Sequence, residues 1–286
     1  MKMAVIGCGL IGGSMALSWK RAGIVDEVIA FGHNPATLQK ALDKGAADTV
    51  TTSMEEAVKD ADIVVSAVPV EAMESVFTEM APFLKSDAVV TDVGSTRQTV
   101  IAAARKGLGD KFHQYAPAHP IAGGEMPGVD YASADLFDEK VVISTPDEGM
   151  DPKVVTFIEE AWRKAGARVQ AMSPLQHDLT FASVSHLPHV LAYALVDMIA
   201  REENAQEKLK MAGAGFRDFT RIASSSPVMW RDICLSNREA LSHELKRYRA
   251  SLDILQKYID ESDGKALESV FENAVRNRRG LVFPGK

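Results

Sequence analysis

Three short segments of this 286-residue chain carry side chains able to do chemistry. His119 stands in Ala118-His119-Pro120-Ile121-Ala122-Gly123-Gly124-Glu125, where a proline fixes the backbone behind it and glycines leave it accessible. An imidazole with an ordinary pKa near 6.5 can accept a proton at neutral pH, so His119 is a candidate general base. The plain alternative is a structural histidine. Ser95 stands in Asp92-Val93-Gly94-Ser95-Thr96-Arg97, and either Ser95 or Thr96 could instead cap the helix expected from Gln98 to Lys106. Arg221 lies between Phe219 and Ile222, which predicts partial burial, and a buried guanidinium needs an anion. That anion is either Asp218, three residues earlier, or a bound carboxylate, which arginine can grip at two points. His186 and His189 are one helical turn apart, but no H-E-x-x-H pattern or neighbouring cysteine accompanies them, so no metal is expected.

The elements that must position these groups begin at the N-terminus. Met3 to Ile6 read as an apolar strand, glycine follows at Gly7, Gly9 and Gly12, and a helical period starts near Ala16. Strand, G-x-G-x-x-G, helix is the dinucleotide fingerprint in its required setting. Gly7 permits the turn, Gly9 lets the backbone approach a pyrophosphate, and Gly12 lets helix and strand pack closely. The helix-start N–H groups, those of Leu10 and Ile11 included, then face the phosphates. Further strands are expected at Glu27–Phe31, near Asp48–Val50, at Ile63–Ala67 and at Ala88–Asp92. Another is expected near Gln114–Ala118, with His119 at its carboxyl end, and the last two within Leu136–Ser144 and at Arg168–Met172. Ser53 followed by Glu56 reads as a capping box. Strands alternating with helices at this spacing predict an α/β, doubly wound parallel sheet of Rossmann type. Such sheets bind ligands outside the carboxyl ends of their strands, at Gly7–Ser14, Val68-Pro69-Val70 and Asp92–Arg97. Where an acid often holds the ribose 2′-hydroxyl, this chain has Gly32, His33 and Asn34. Nothing there repels a 2′-phosphate, so the cofactor is NADP or NAD, with a slight lean to NADP.

From Ser173 the pattern turns helical, dividing the chain into residues 1–172, a nucleotide-binding domain, and 173–286, a helical domain. Pro188 could open its long helix through Ala200, and Gly280–Pro284 read as a tail. A formal charge of −7 argues against nucleic acid as a partner. No apolar run is expected to span a membrane, no leader is expected before a strand that begins almost at Met1, and Cys8 and Cys234 read as reduced thiols of a cytoplasmic protein.

With its segments assembled, the chain resembles the prephenate/arogenate (cyclohexadienyl) dehydrogenases of tyrosine biosynthesis. The resemblance rests on GCGLIGGS at Gly7–Ser14, TDVGSTR at Thr91–Arg97, HPIAGGE at His119–Glu125, SHLPH at Ser185–His189 and FRDFTRIASSSPVMW at Phe216–Trp230. It implies an all-α dimerisation and substrate domain after the Rossmann domain, and a homodimer. It also implies the chemistry: hydride leaves C4 of a cyclohexadienol for the nicotinamide, carbon dioxide leaves C1, and the ring becomes aromatic. His119 would take the C4 hydroxyl proton, and Ser95 would hydrogen-bond both. Arg221 would bind a substrate carboxylate, His189 would line the pocket, oriented by Asp218, and Trp230 would add a wall across the dimer. An acid at Glu125 would favour arogenate's ammonium. The spatial expectation is that imidazole, hydroxyl and guanidinium converge beside the nicotinamide. Two other readings fit part of the pattern. A 3-hydroxyacid dehydrogenase would need a lysine in the helical half. A non-enzymatic NAD(P)-sensing dimer would have no use for Ser95, His119 and Arg221 together.

Overall fold

A computed structural model describes residues 1–124 and 126–281. Glu125 and most of the expected Gly280–Pro284 tail lie outside the described residues. The chain opens with β1 (Lys2–Ile6), α1 (Leu10–Arg21), β2 (Glu27–Phe31), α2 (Pro35–Asp43), β3 (Thr49–Thr51), α3 (Met54–Val58), β4 (Ile63–Ser66), α4 (Met73–Met80), β5 (Val89–Asp92), α5 (Gln98–Leu108) and β6 (Tyr115–Ala116). These strands form one parallel sheet in the order β3-β2-β1-β4-β5-β6. The order reverses between β1 and β4, where Ile6 stands beside Ser66, and that reversal opens the ligand crevice of such sheets. Met3, Ala4, Val5 and Ile6 are wholly buried, as a strand covered on both faces must be.

The expectation of a single sheet is corrected at Pro117. With no N–H to give, this residue ends the β6 ladder. The chain then enters a second sheet of β7 (Ala118–Pro120), β8 (Val141–Ser144) and β9 (Arg168–Ala171), with α6 (Pro152–Lys164) between the last two. β7 runs antiparallel to β8 and pairs His119 with Ile143. His119 therefore lies within a strand, and it is 9% exposed rather than open. Trp162 of α6 packs edge-on against Trp19 of α1, with ring centres 5.6 Å apart, tying the two sheets together.

The helical part comprises α7 (Pro174–Phe181), a π turn at Ala182–His186, α8 (Leu187–Ala200), α9 (Ala205–Lys210), α10 (Ala214–Thr220), α11 (Pro227–Ser236), α12 (Arg238–Asp260) and α13 (Gly264–Gly280). Pro188 stands in the first turn of α8, where a missing N–H costs little. The π turn before it keeps the chain helical, so 174–200 run on without a break. That helix is long and apolar enough to cross a membrane, at a mean hydropathy of 1.4, contrary to the expectation that no run reaches this length. Its covered side mixes Phe181, Ala182, Leu187 and Ala192 with the polar His177, Asp178 and His186, while Leu175, Leu179, Val184 and Met198 are exposed.

Candidate active site

The glycine loop is built as its spacing requires. Gly7 has a φ of +93°, and a Cβ there would lie 2.7 Å from the Ala67 carbonyl oxygen and close to Val68. A Cβ on Gly12 would lie 2.5 Å from the Gly7 carbonyl oxygen and 2.9 Å from the Ala67 methyl, so α1 sits directly on the β1–β4 crevice. At Gly9 a Cβ would meet nothing within 4 Å, leaving open space above the N-terminus of α1, which has no side-chain cap. Open backbone at an uncapped, positively polarised helix end fits a dinucleotide pyrophosphate. Burial pushes the Cys8 thiol up to about 11, so it adds no negative charge beside that loop. At the end of β2, His33 is exposed, and its ring stands edge-on to Phe31. Asn34 caps α2 by accepting the Ala36 N–H at 2.9 Å. Pro69 is exposed beyond β4, next to half-buried Val68.

The loop after β5 departs from its expected reading. Neither Ser95 nor Thr96 caps α5. The cap comes from α7, where Asp178 accepts the N–H groups of Arg97 at 2.8 Å and Gln98 at 2.9 Å. Thr96 instead meets the Ser236 hydroxyl at 2.7 Å. Arg97 is fully buried and donates to both oxygens of Asp92, at 2.8 and 2.9 Å, while the Tyr115 hydroxyl donates to the same carboxylate at 2.6 Å. Burial would lower the Arg97 pKa, but Asp92 outweighs it and keeps the guanidinium charged. Ser95 is half-buried, and its hydroxyl bonds no described residue, so the expected Ser95–His119 hydrogen bond is not made.

His119 has a different partner. Its Nδ1 lies 2.7 Å from Nε2 of His177, and Nδ1 of His177 lies 2.8 Å from Asp178. Phe181 stacks on the His177 ring at 4.4 Å and leans on His119 at 5.1 Å. Burial first, then the neighbouring charges of His177, Arg97 and His186, holds His119 well below the usual imidazole range. The ring is therefore neutral at neutral pH and free to accept a proton.

The remaining expected residues gather one helical turn further along. His189 stacks on Trp230 of its own chain, with ring centres 3.6 Å apart and planes 20° from parallel. Its Nδ1 donates to the Ser185 carbonyl at 2.9 Å, so Ser185 orients this ring and Asp218 does not. Arg221 is exposed on a short turn, not partly buried, yet its charge is near enough to help lower the His189 pKa behind the larger effect of burial. Asp218 is exposed on α10. His186 is fixed by Asn237, whose amide donates to its Nδ1 at 3.2 Å and to the Asp178 carbonyl at 2.8 Å. Burial drives His186 down to about 4.

Sequence reasoning passed over His177, Asp178, Arg97 and Asn237. The available signal was a His-Asp dipeptide opening the helical half and an arginine five residues after a strand-end aspartate.

Comparison with known proteins agrees along the whole chain. Residues 15–171 match the family described as prephenate dehydrogenase, nucleotide-binding domain, and residues 173–273 match prephenate dehydrogenase, dimerization domain. The chain is 36% identical to a cyclohexadienyl dehydrogenase of Zymomonas mobilis over 98% of its own length and 95% of that protein's. Among solved structures it resembles a prephenate dehydrogenase from Aquifex aeolicus in complex with hydroxyphenyl propionate and NAD+. That match is 34% identical, covers 98% of both chains and has a TM-score of 0.90. It also resembles a Synechocystis arogenate dehydrogenase, 27% identical over 99% of this chain and 100% of that one, with a TM-score of 0.81. A glycine loop shaped for a dinucleotide, a buried neutral histidine at the sheet edge and two matched domains lead to one assignment: the chain belongs to the prephenate dehydrogenase family.

Proposed function

We propose that this chain oxidatively decarboxylates prephenate, arogenate or both, giving 4-hydroxyphenylpyruvate or tyrosine, with His119 as the general base. The observation that supports this choice of base is the buried imidazole of His119 on β7, held 2.7 Å from Nε2 of His177 on α7. Bound NAD(P)+ supplies the hydride acceptor. The residues of the chain manage the rest. His119 takes the proton of the C4 hydroxyl as the C4–H bond breaks, which favours a carbonyl at C4. The C1–carboxyl bond then breaks, its electron pair enters the ring, and the phenolate oxygen recovers the proton from His119. No net proton is consumed. Aromatisation drives the collapse, and the base contributes roughly 10²–10⁴ in rate.

Ser95 is proposed to hydrogen-bond the C4 hydroxyl, which its uncommitted hydroxyl permits. Arg221 is proposed to bind a substrate carboxylate, in a pocket walled by His189 and Trp230 with Asp218 at its margin. Gly7, Gly9, Leu10, Ile11 and Gly12 would hold the pyrophosphate, Gly32, His33 and Asn34 the adenosine ribose, and Val68 and Pro69 the nicotinamide side. The Gly32-His33-Asn34 segment, lacking an acid, is compatible with NADP as well as NAD, with a slight lean to NADP. Glu125 is proposed to favour arogenate's ammonium. An unchanged kcat/KM ratio for the two substrates in Glu125→Gln would end that idea.

Residues 1–172 are proposed as the nucleotide-binding domain of a cytoplasmic enzyme and 173–286 as its helical domain, through which two chains form a homodimer. The open apolar face of the 174–200 helix supports that pairing. A 3-hydroxyacid dehydrogenase is disfavoured, since Lys208 is exposed and paired with Glu202, and Lys210 is exposed. Following reduced nicotinamide at 340 nm with prephenate, arogenate and a 3-hydroxyacid, each with NAD+ and NADP+, tests substrate and cofactor together. Turnover of the 3-hydroxyacid alone, or of none, would contradict the assignment.

A further inference from the structure

We infer that His177 and Asp178 are positioning residues for this reaction: they fix which nitrogen of His119 is bare and support the charge that His119 acquires. The inference rests on the reading of His119 as the base. The hydrogen-bond chain leaves one consistent assignment of protons. The Asp178 carboxylate already accepts two backbone N–H groups, and it can only accept, so the proton in its 2.8 Å contact with His177 sits on His177 Nδ1. A neutral His177 ring then has a bare Nε2. His119 Nδ1, 2.7 Å away, must supply the proton in that contact. A neutral His119 carries one N–H, now placed on Nδ1, and its Nε2 is left as the lone pair that takes the substrate proton.

The surroundings keep this arrangement in place. Burial would raise the Asp178 pKa, but hydrogen bonds from His177, Arg97 and Gln98 hold the carboxylate below its usual range. Burial keeps His177 neutral against the pull of Asp178. Phe181, one turn after His177, packs on both rings, and with His177 wholly buried the contact is shielded from water. The neighbouring cation, Arg97, is paired with Asp92 and so does not oppose a second positive charge at full strength.

When Nε2 accepts the hydroxyl proton, an O–H bond breaks, an N–H bond forms and His119 becomes an imidazolium. Its Nδ1–H still donates to His177, whose Nδ1–H still donates to Asp178, so a carboxylate two hydrogen bonds away offsets the new charge. No second proton needs to move. An acid–imidazole pair that sets a tautomer in this way is the logic of the hydrolase triads, here extended by one ring. Because Asp178 also caps α5, the same carboxylate holds the loop that presents Ser95.

The test combines histidine ¹⁵N NMR with kinetics on the intact enzyme bearing His177→Gln, His177→Leu or His119→Asn. In His177→Gln the introduced amide oxygen can still accept from His119 Nδ1, whereas the leucine side chain of His177→Leu cannot. Wild type and His177→Gln should show His119 protonated on Nδ1 and bare on Nε2. His177→Leu should lose that preference, and its kcat should fall about 10²-fold with KM changed less than threefold. The His177→Gln variant should recover at least a tenfold part of that loss. A wild-type His119 protonated on Nε2, or equal losses in the two His177 variants, would overturn the positioning role. Activity in His119→Asn within threefold of wild type would instead remove the base itself, and the positioning role with it.

Discussion

The carboxylate of Asp178 lies 2.8 Å from the backbone nitrogen of Arg97, so a side chain of the first helical-domain segment caps a helix of the sheet domain. With the second bond to Gln98, it satisfies two N–H groups that α5 cannot pair internally. Replacing Asp178 with Ala strands both, and the buried His177 N–H with them. The expected cost is about 3 kcal/mol of unfolding free energy, read from urea denaturation. A loss under 0.5 kcal/mol would show that the cap is replaceable by water.

Arg97 and Asp92 are both fully buried and paired through two hydrogen bonds. Removing one partner leaves an uncompensated charge in the core, whereas removing both restores neutrality. Arg97→Met should therefore cost roughly 3–5 kcal/mol. The double variant Arg97→Met with Asp92→Leu should cost clearly less than the sum of the two single changes. Strict additivity in the double-mutant cycle would contradict the pairing as the source of the effect.

Two glycines of the same loop should respond differently to alanine. A methyl on Gly12 collides with the Gly7 carbonyl oxygen and the Ala67 side chain, so Gly12→Ala should lower Tm and weaken nucleotide binding together. A methyl on Gly9 meets no protein atom within 4 Å. Gly9→Ala should keep its Tm within about 2 °C while the Kd for NAD(P)+ rises at least about tenfold, or 1.4 kcal/mol. Calorimetry on the two variants separates the effects; unchanged binding in Gly9→Ala would exclude that open space from the cofactor site.

The buried histidines set the acid side of the pH response. His119 in the folded protein has a pKa well below 6.5, so kcat/KM should stay flat as pH falls through 6.5 and decline only further down. Stability follows the same sign. Below pH 6.5 the unfolded chain binds protons that folded His186, with its pKa near 4, does not. Stability is thus complete above 6.5 and lost as pH falls toward about 4. A pH–Tm series should show that slope, and His186→Gln should flatten it if folding survives the change. A kinetic limb centred at 6.5 would mean that His119 is not desolvated.

Much of the sheet was legible because its signals are local. Continuous apolar runs and the glycine spacing located β1, β2, β4 and β5 to within a residue or two. The Ser53–Glu56 capping box was half right. Ser53 accepts the Glu56 N–H at 3.3 Å, but the Glu56 carboxylate takes the Thr51 hydroxyl at 2.6 Å instead of reaching back. What stayed hidden depends on contacts between distant positions. His119 and His177 are 58 residues apart, and Arg97 and Asp178 are 81 apart. No periodicity encodes such pairings, so His119 was noticed while the groups that orient it were not. Burial of Arg97 was equally opaque, because Ser-Thr-Arg after a strand looks like the start of an exposed helix. Arg221 failed in the opposite sense. Apolar neighbours in sequence suggested a covered side chain, yet the short turn carrying it faces solvent.

The proton acceptor is the group on which the reaction depends. Steady-state oxidation of prephenate, followed at 340 nm under saturating nicotinamide nucleotide, should show kcat in His119→Asn reduced by about 10²–10⁴ relative to wild type. The Kd for NAD(P)+ from fluorescence titration should remain within twofold. A His119→Asn enzyme that keeps wild-type kcat would contradict the mechanism and leave only the nucleotide-binding fold.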